Sequence, residues 1–123
     1  MEFEELTGEI IKCAMEVHSA LGPGLLENVY KECLYYKLGN AGFQVEKEKA
    51  MPVVFEGITL DCGYRVDLLV EKQVLIELKS VKVIDDIHMA QMLTYLKLGH
   101  FKVGLLINFN VLSLKDGIKR VVN

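Results

Sequence analysis

Along residues 4–21 the apolar positions Ile10, Ala14, Val17 and Leu21 fall at helical spacing. "LGPG" then breaks the pattern, with Gly22 as C-terminal cap and Pro23 just beyond. Residues 25–41 carry a second helical stripe of Leu26, Val29, Tyr30, Cys33, Leu34 and Leu38, which Gly42 ends. From Phe43 to Lys79 the texture changes to β-branched and aromatic runs punctuated by Gly57, Gly63 and the polar "EKQ", predicting strands over 44–55, 58–70 and 74–80. Helical period returns in "DDIHMAQMLTYLKLG", where Ile87, Ala90, Leu93 or Thr94 and Leu98 share a side, Asp85 or Asp86 is the N-cap and Gly99 the C-cap. "KVGLLINF", residues 102–109, is a continuous apolar run that predicts a buried central strand, and a short last strand covers 118–122. The order α-α-β-β-β-α-β describes one α/β domain over residues 1–123.

Three charges interrupt this apolar pattern. In "GYRVDLLVEKQVLIELKS", residues 63–80, Asp67, Glu77 and Lys79 sit inside predicted strands. If "EKQ" is a hairpin loop, Val70 pairs with Val74 and Asp67 then faces Glu77. Directly opposed like charges are destabilising unless something cationic lies between them. Alternation places Leu75, Glu77 and Lys79 on one face and Val74, Ile76 and Leu78 on the other. A divalent cation answers the pattern: Mg²⁺ takes one or two carboxylates, keeps several waters and bridges to phosphate oxygens. It also acidifies a bound water, while a neighbouring lysine orients that water or neutralises developing phosphate charge. The bland alternative has Asp67 ending a strand at the surface and Glu77 pairing with Lys79 across solvent.

Composition narrows the setting. A chain of 123 residues that is 51% hydrophobic is long enough for a sizeable core. No apolar run approaches the roughly 18 residues of a membrane span, and nothing resembles a signal peptide, which points to a cytoplasmic protein. Cys13, Cys33 and Cys62 are far apart and form no C-x-x-C, so neither a disulfide framework nor a zinc site is supported. The net charge of −3 gives no overall basic footprint for nucleic acid, although a carboxylate metal site contributes negative charge that the ion partly cancels.

The motif Asp67, then Glu77-Leu78-Lys79, set in this element order, resembles the PD-(D/E)XK nuclease superfamily. "GLLENVY" supplies Gly24, Glu27 and Tyr30, the motif that names the GxxExxY family within it, and Gln91 with Tyr95 forms the Q-x-x-x-Y of RecB-like nucleases. Val66 stands where the superfamily's name has proline. The resemblance implies a restriction-endonuclease-like core, a mixed central β-sheet flanked by helices. It implies that Asp67, Glu77 and the backbone carbonyl of Leu78 hold Mg²⁺ or Mn²⁺, with Glu27 as an added ligand, direct or through water. Lys79 would orient or activate the attacking water, and Gln91 and Tyr95 would position the helix end or a substrate phosphate.

Each residue also has a plainer reading. Glu27 and Lys31 are spaced for an exposed i,i+4 ion pair. Tyr30 lies on the apolar stripe and packs in the core, His18 is a core or helix-capping histidine, and Gly24 sets where the second helix begins. Gln91 and Tyr95 share a helix face and need no substrate to touch. Two functions follow. One is a metal-dependent nuclease acting on DNA, as a homodimer or with an accessory protein. The other is a nonenzymatic module of a defence or repair assembly that binds nucleic acid or protein.

Overall fold

Periodicity becomes packing first in α1 (Phe3–Leu21), whose Leu6, Ile10, Ala14 and Val17 are buried in the computed structural model, which describes residues 1–123. Gly22 closes this helix at φ +72° and Gly24, at φ +98°, turns the chain into α2 (Glu27–Asn40); both torsions favour glycine. Tyr30, Leu34 and Leu38 form the buried stripe of α2.

Five strands form the main sheet in the order β1 (Val45–Ala50), β4 (Arg65–Val70), β5 (Val74–Lys79), β6 (Val103–Asn108), β7 (Ile118–Val122). All neighbours are antiparallel except β5 and β6, which α3 (Asp86–Gly99) joins by a parallel crossover. β6 is the expected buried strand, covered at all six positions. The helices α1 and α2 bury Leu68, Val70, Ile76 and Leu78 of the sheet on one face, and α3 packs over Leu69, Leu75 and Val121 on the other. No helix is long and apolar enough to cross a membrane.

The predicted strands 44–55 and 58–70 each divide in two. Pro52 donates no backbone N–H and separates β1 from β2 (Val53–Phe55), while residues 61–64, with Gly63 at φ +81°, separate β3 (Ile58–Leu60) from β4. β2 and β3 pair only with each other, across a turn whose Glu56 and Gly57 both have positive φ. This hairpin exposes Val54, Phe55 and Ile58. Gly99 is the last residue of α3 rather than its cap, and His100 takes the left-handed position at φ +59°. Gly99 is needed for space: a Cβ there would lie 2.5 Å from the Phe101 ring and 2.9 Å from Met51 Cε.

Two glycines test this packing in opposite directions. A Cβ on Gly117 would collide with the backbone carbonyl of Asn108, which no rotamer change relieves, whereas Gly8 on α1 has open space around it. Gly117→Ala is expected to destabilise by about 2 kcal/mol or more, and Gly8→Ala to stabilise by about 0.5–1 kcal/mol, in urea titrations.

Candidate active site

The β4–β5 hairpin has the predicted register, with Val70 opposite Val74 and Leu68 opposite Ile76, but the ladder stops one pair short of Asp67 and Glu77. There the carboxylates take over the backbone donors. Asp67 N–H donates to Glu77 Oε1 at 2.8 Å, and Leu78 N–H donates to Asp67 Oδ2 at 2.8 Å. The β1–β4 ladder also breaks at this level, since pairing runs through Lys47 with Leu68 and resumes at Lys49 with Val66, omitting Glu48 and Asp67. Val66 and Leu68, two residues apart, consequently bury on opposite faces of the sheet.

Asp67 is therefore neither at a strand end on the surface nor on an edge strand; it lies half-buried on an interior strand. Burial, followed by the charge of Asp67, pushes the Glu77 carboxyl up to about 7, against the opposing pull of the Asp67 N–H and the Lys79 ammonium. The alternative solvent-side pairing of Glu77 with Lys79 does not form: the four ion pairs of the chain involve other residues. Lys79 is half-buried at the end of β5, aligned with Asn108 of β6, and its carbonyl accepts the Phe109 N–H at 2.9 Å.

The turn before α2 is stapled to that strand end. Ser80 Oγ donates to the Leu25 carbonyl at 2.7 Å. The Tyr30 hydroxyl donates to the Gly22 carbonyl at 2.6 Å and accepts the Leu25 N–H at 3.0 Å, while its ring stacks on Phe109 at 4.4 Å. Tyr30 is thus the expected core residue with a locally satisfied hydroxyl. His18 is likewise buried, its Nε2 2.8 Å from the Val111 carbonyl.

Glu27 opens α2 in an exposed position, lining a cleft with Gly24, Leu25, Leu26, Asn28, Ser80 and Asn110. It is not gathered with Asp67 and Glu77: no three acidic, histidine or cysteine side chains converge on one ion position. Nor does it pair with Lys31, whose ammonium instead meets Glu48 Oε1 at 2.9 Å. On the other face of the sheet Tyr95 is brought to the carboxylates. Burial first, then the charges of Glu77, Tyr64 and Asp67, raise its hydroxyl above the usual tyrosine value. Gln91, one turn earlier on α3, is exposed.

Sequence reasoning missed Asn108 and the Lys31–Glu48 pair. Asn108 is 2% exposed, its amide donates to the Val81 carbonyl at 2.9 Å, and its Oδ1 accepts the Val81 N–H at 3.1 Å, which holds the chain leaving Lys79. A lone amide inside the run "LLINF" was the available signal. Glu48 gave none, because "EKEK" reads as a charged edge strand.

The donor set suits a hard divalent cation. Two carboxylates lie side by side, each with one oxygen engaged by a backbone N–H, and the Leu78 carbonyl follows Glu77 directly. A mixed five-stranded sheet, with two helices on one face and one on the other and with carboxylates opening its middle, defines a restriction-endonuclease-like α/β protein. The family model for the PD-(D/E)XK nuclease superfamily matches residues 4–121, and the chain belongs to that superfamily. Among solved structures, the crystal structure of SSO0001 is similar in fold, with TM-score 0.55 and 22% identity over 78% of this chain and 49% of that one. This chain thus spans about half the length of that protein. No curated protein matches it.

The raised Glu77 pKa gives a signed pH dependence. The folded state holds a proton that the unfolded chain releases near 4.5, so this contribution to stability is full below that pH and is lost as pH rises through about 7. In EDTA, Glu77→Gln is expected to melt higher than wild type at pH 8 and to flatten the decline of Tm between pH 5 and 8, because an amide keeps the acceptor for Asp67 N–H without the charge.

Proposed function

We propose that the protein is a Mg²⁺- or Mn²⁺-dependent nuclease of the GxxExxY group that hydrolyses phosphodiester bonds in DNA. The observation that carries this reading is the pair of Asp67 and Glu77 carboxylates, fixed by backbone N–H groups in an opened sheet with Lys79 at the same strand end. Asp67, Glu77 and the Leu78 carbonyl would hold the cation, which supplies Lewis acidity toward a phosphate oxygen and an acidified water.

The chain's own residues do the remainder. Lys79, kept in place by the β5–β6 pairing and the Asn108 clasp, orients the attacking water or meets negative charge developing on the phosphate. Glu27, tethered to the strand end through the Ser80–Leu25 bond, joins the cation through water rather than as a third direct ligand. Tyr95 buttresses the carboxylates from α3, and the exposed Gln91 amide, one turn away as in RecB-like nucleases, is free to meet a substrate phosphate. A homodimer or an accessory protein belongs to this reading, because a net charge of −3 gives little basic surface to grip DNA. Three free cysteines are consistent with a cytoplasmic setting.

The deciding experiment is cleavage of linear and circular, single- and double-stranded DNA, with RNA alongside, in Mg²⁺ or Mn²⁺. Wild type is expected to cut DNA, and Lys79→Ala to lose about 100-fold or more of the rate. The cations should raise the wild-type Tm, and Asp67→Ala should abolish that rise. A Tm rise in both proteins would overturn the metal assignment, and cleavage by neither wild type nor variant would favour the nonenzymatic module. Light scattering at micromolar concentration tests the dimer, which a monomer mass would rule out.

A further inference from the structure

Lys31 follows the buried Tyr30 on α2 and reaches across to β1. Its side chain is 12% exposed, against 57% for its partner Glu48. The stem of this side chain is covered, its ammonium has three donors and no acceptor, and Glu48 is its one hydrogen-bond partner. The backbone is bent at the residue that supplies this anion. Glu48 holds φ +55° within β1, in the left-handed region that disfavours a residue other than glycine. The β1–β4 register places Glu48 opposite Asp67, and the break in that ladder falls on this pair. The hydrogen bond of Glu48, opposed by burial and then helped by the charges of Glu48, Asp67 and Glu32, holds the Lys31 ammonium above the ordinary lysine value.

We infer that Glu48 is a positioning residue that keeps the Lys31 ammonium away from Asp67 and so leaves the Asp67 carboxylate open to a divalent cation. The inference rests on the reading of Asp67 as a metal ligand. Removing the Glu48 charge leaves the ammonium of this largely covered side chain without its partner, beside the β1–β4 position where Asp67 faces Glu48. Lys31 then occupies Asp67 as an internal counterion, and an incoming Mg²⁺ or Mn²⁺ has to displace it. Loss of Lys31 leaves only an exposed glutamate, which water solvates.

A double-mutant cycle read by calorimetric Mn²⁺ binding tests this without recourse to cleavage. Glu48→Gln is expected to weaken Mn²⁺ about tenfold. Lys31→Met should bind as tightly as wild type or more tightly, and Glu48→Gln should have no further effect in the Lys31→Met background. A Glu48 that acted only as a nearby negative charge would give the same loss in both backgrounds, and that additive result overturns the inference. Unchanged affinity in Glu48→Gln overturns it as well. If that variant does not fold, Lys31→Met alone decides, since affinity below wild type contradicts a competing ammonium. No Mn²⁺ binding by wild type would instead sink the metal reading on which the inference stands.

Discussion

The rest of this structure depends on two backbone N–H groups that leave the β-ladder and bond to carboxylates. Buried amide donors in a sheet must be satisfied, and at Asp67 and Leu78 the acceptors are Glu77 and Asp67 rather than the neighbouring strand's carbonyls. The strands can separate at that level without orphaning either donor, and the opening becomes a site. The exchange fixes both carboxylates to the main chain, which locates them far better than free rotamers would. It also concentrates like charge in a half-buried place, which is why the Glu77 carboxyl is pushed up to about 7.

Everything around the opening restrains it. The α1–α2 layer fills the sheet's lower face through Tyr30, Leu34 and Leu38, and the stack of Tyr30 on Phe109 joins α2 to the chain just past β6. α3 covers the opposite face through Met92, Tyr95 and Leu96, and it approaches closely because Gly104 carries no Cβ where Met92 lies. The exits of both central strands are tied together by the amide of Asn108, and the hydroxyl of Ser80 ties the β5 exit to the turn before α2. The proposed cation site would require such rigidity, since a ligand set held a fraction of an ångström too loosely loses its preference for the ion.

Much of this was legible in residue order. Helical spacing in α1 and α2, the Val70–Val74 register of the β4–β5 hairpin, the buried run of β6 and the three charges inside the sheet are properties of neighbours in the chain, and each appears where the pattern placed it except at Leu21, Leu26 and Val29, which the helices leave exposed. The misplacements share a cause. Apolar texture across 44–55 and 58–70 does not show that Pro52 and Gly63 send part of each run into a separate hairpin. Gly99 looks like a cap because the constraint on it, the ring of Phe101, is a packing contact. Lys31 looks like the partner of Glu27 because i,i+4 spacing is visible in a sequence and a contact from α2 to β1 is not.

The sequence by itself determined the element types, the membership of Asp67, Glu77 and Lys79 in one hairpin, and the chemical character of the site, because those follow from periodicity, alternation and side-chain type. Tertiary structure alone decided that the ladders part at Asp67, that Glu27 stands apart from the other two carboxylates, and that Lys31 is neutralised by Glu48. These are distances between segments far apart along the chain. They are set by how layers pack and by which buried charge finds a partner, and local propensity carries no information about either.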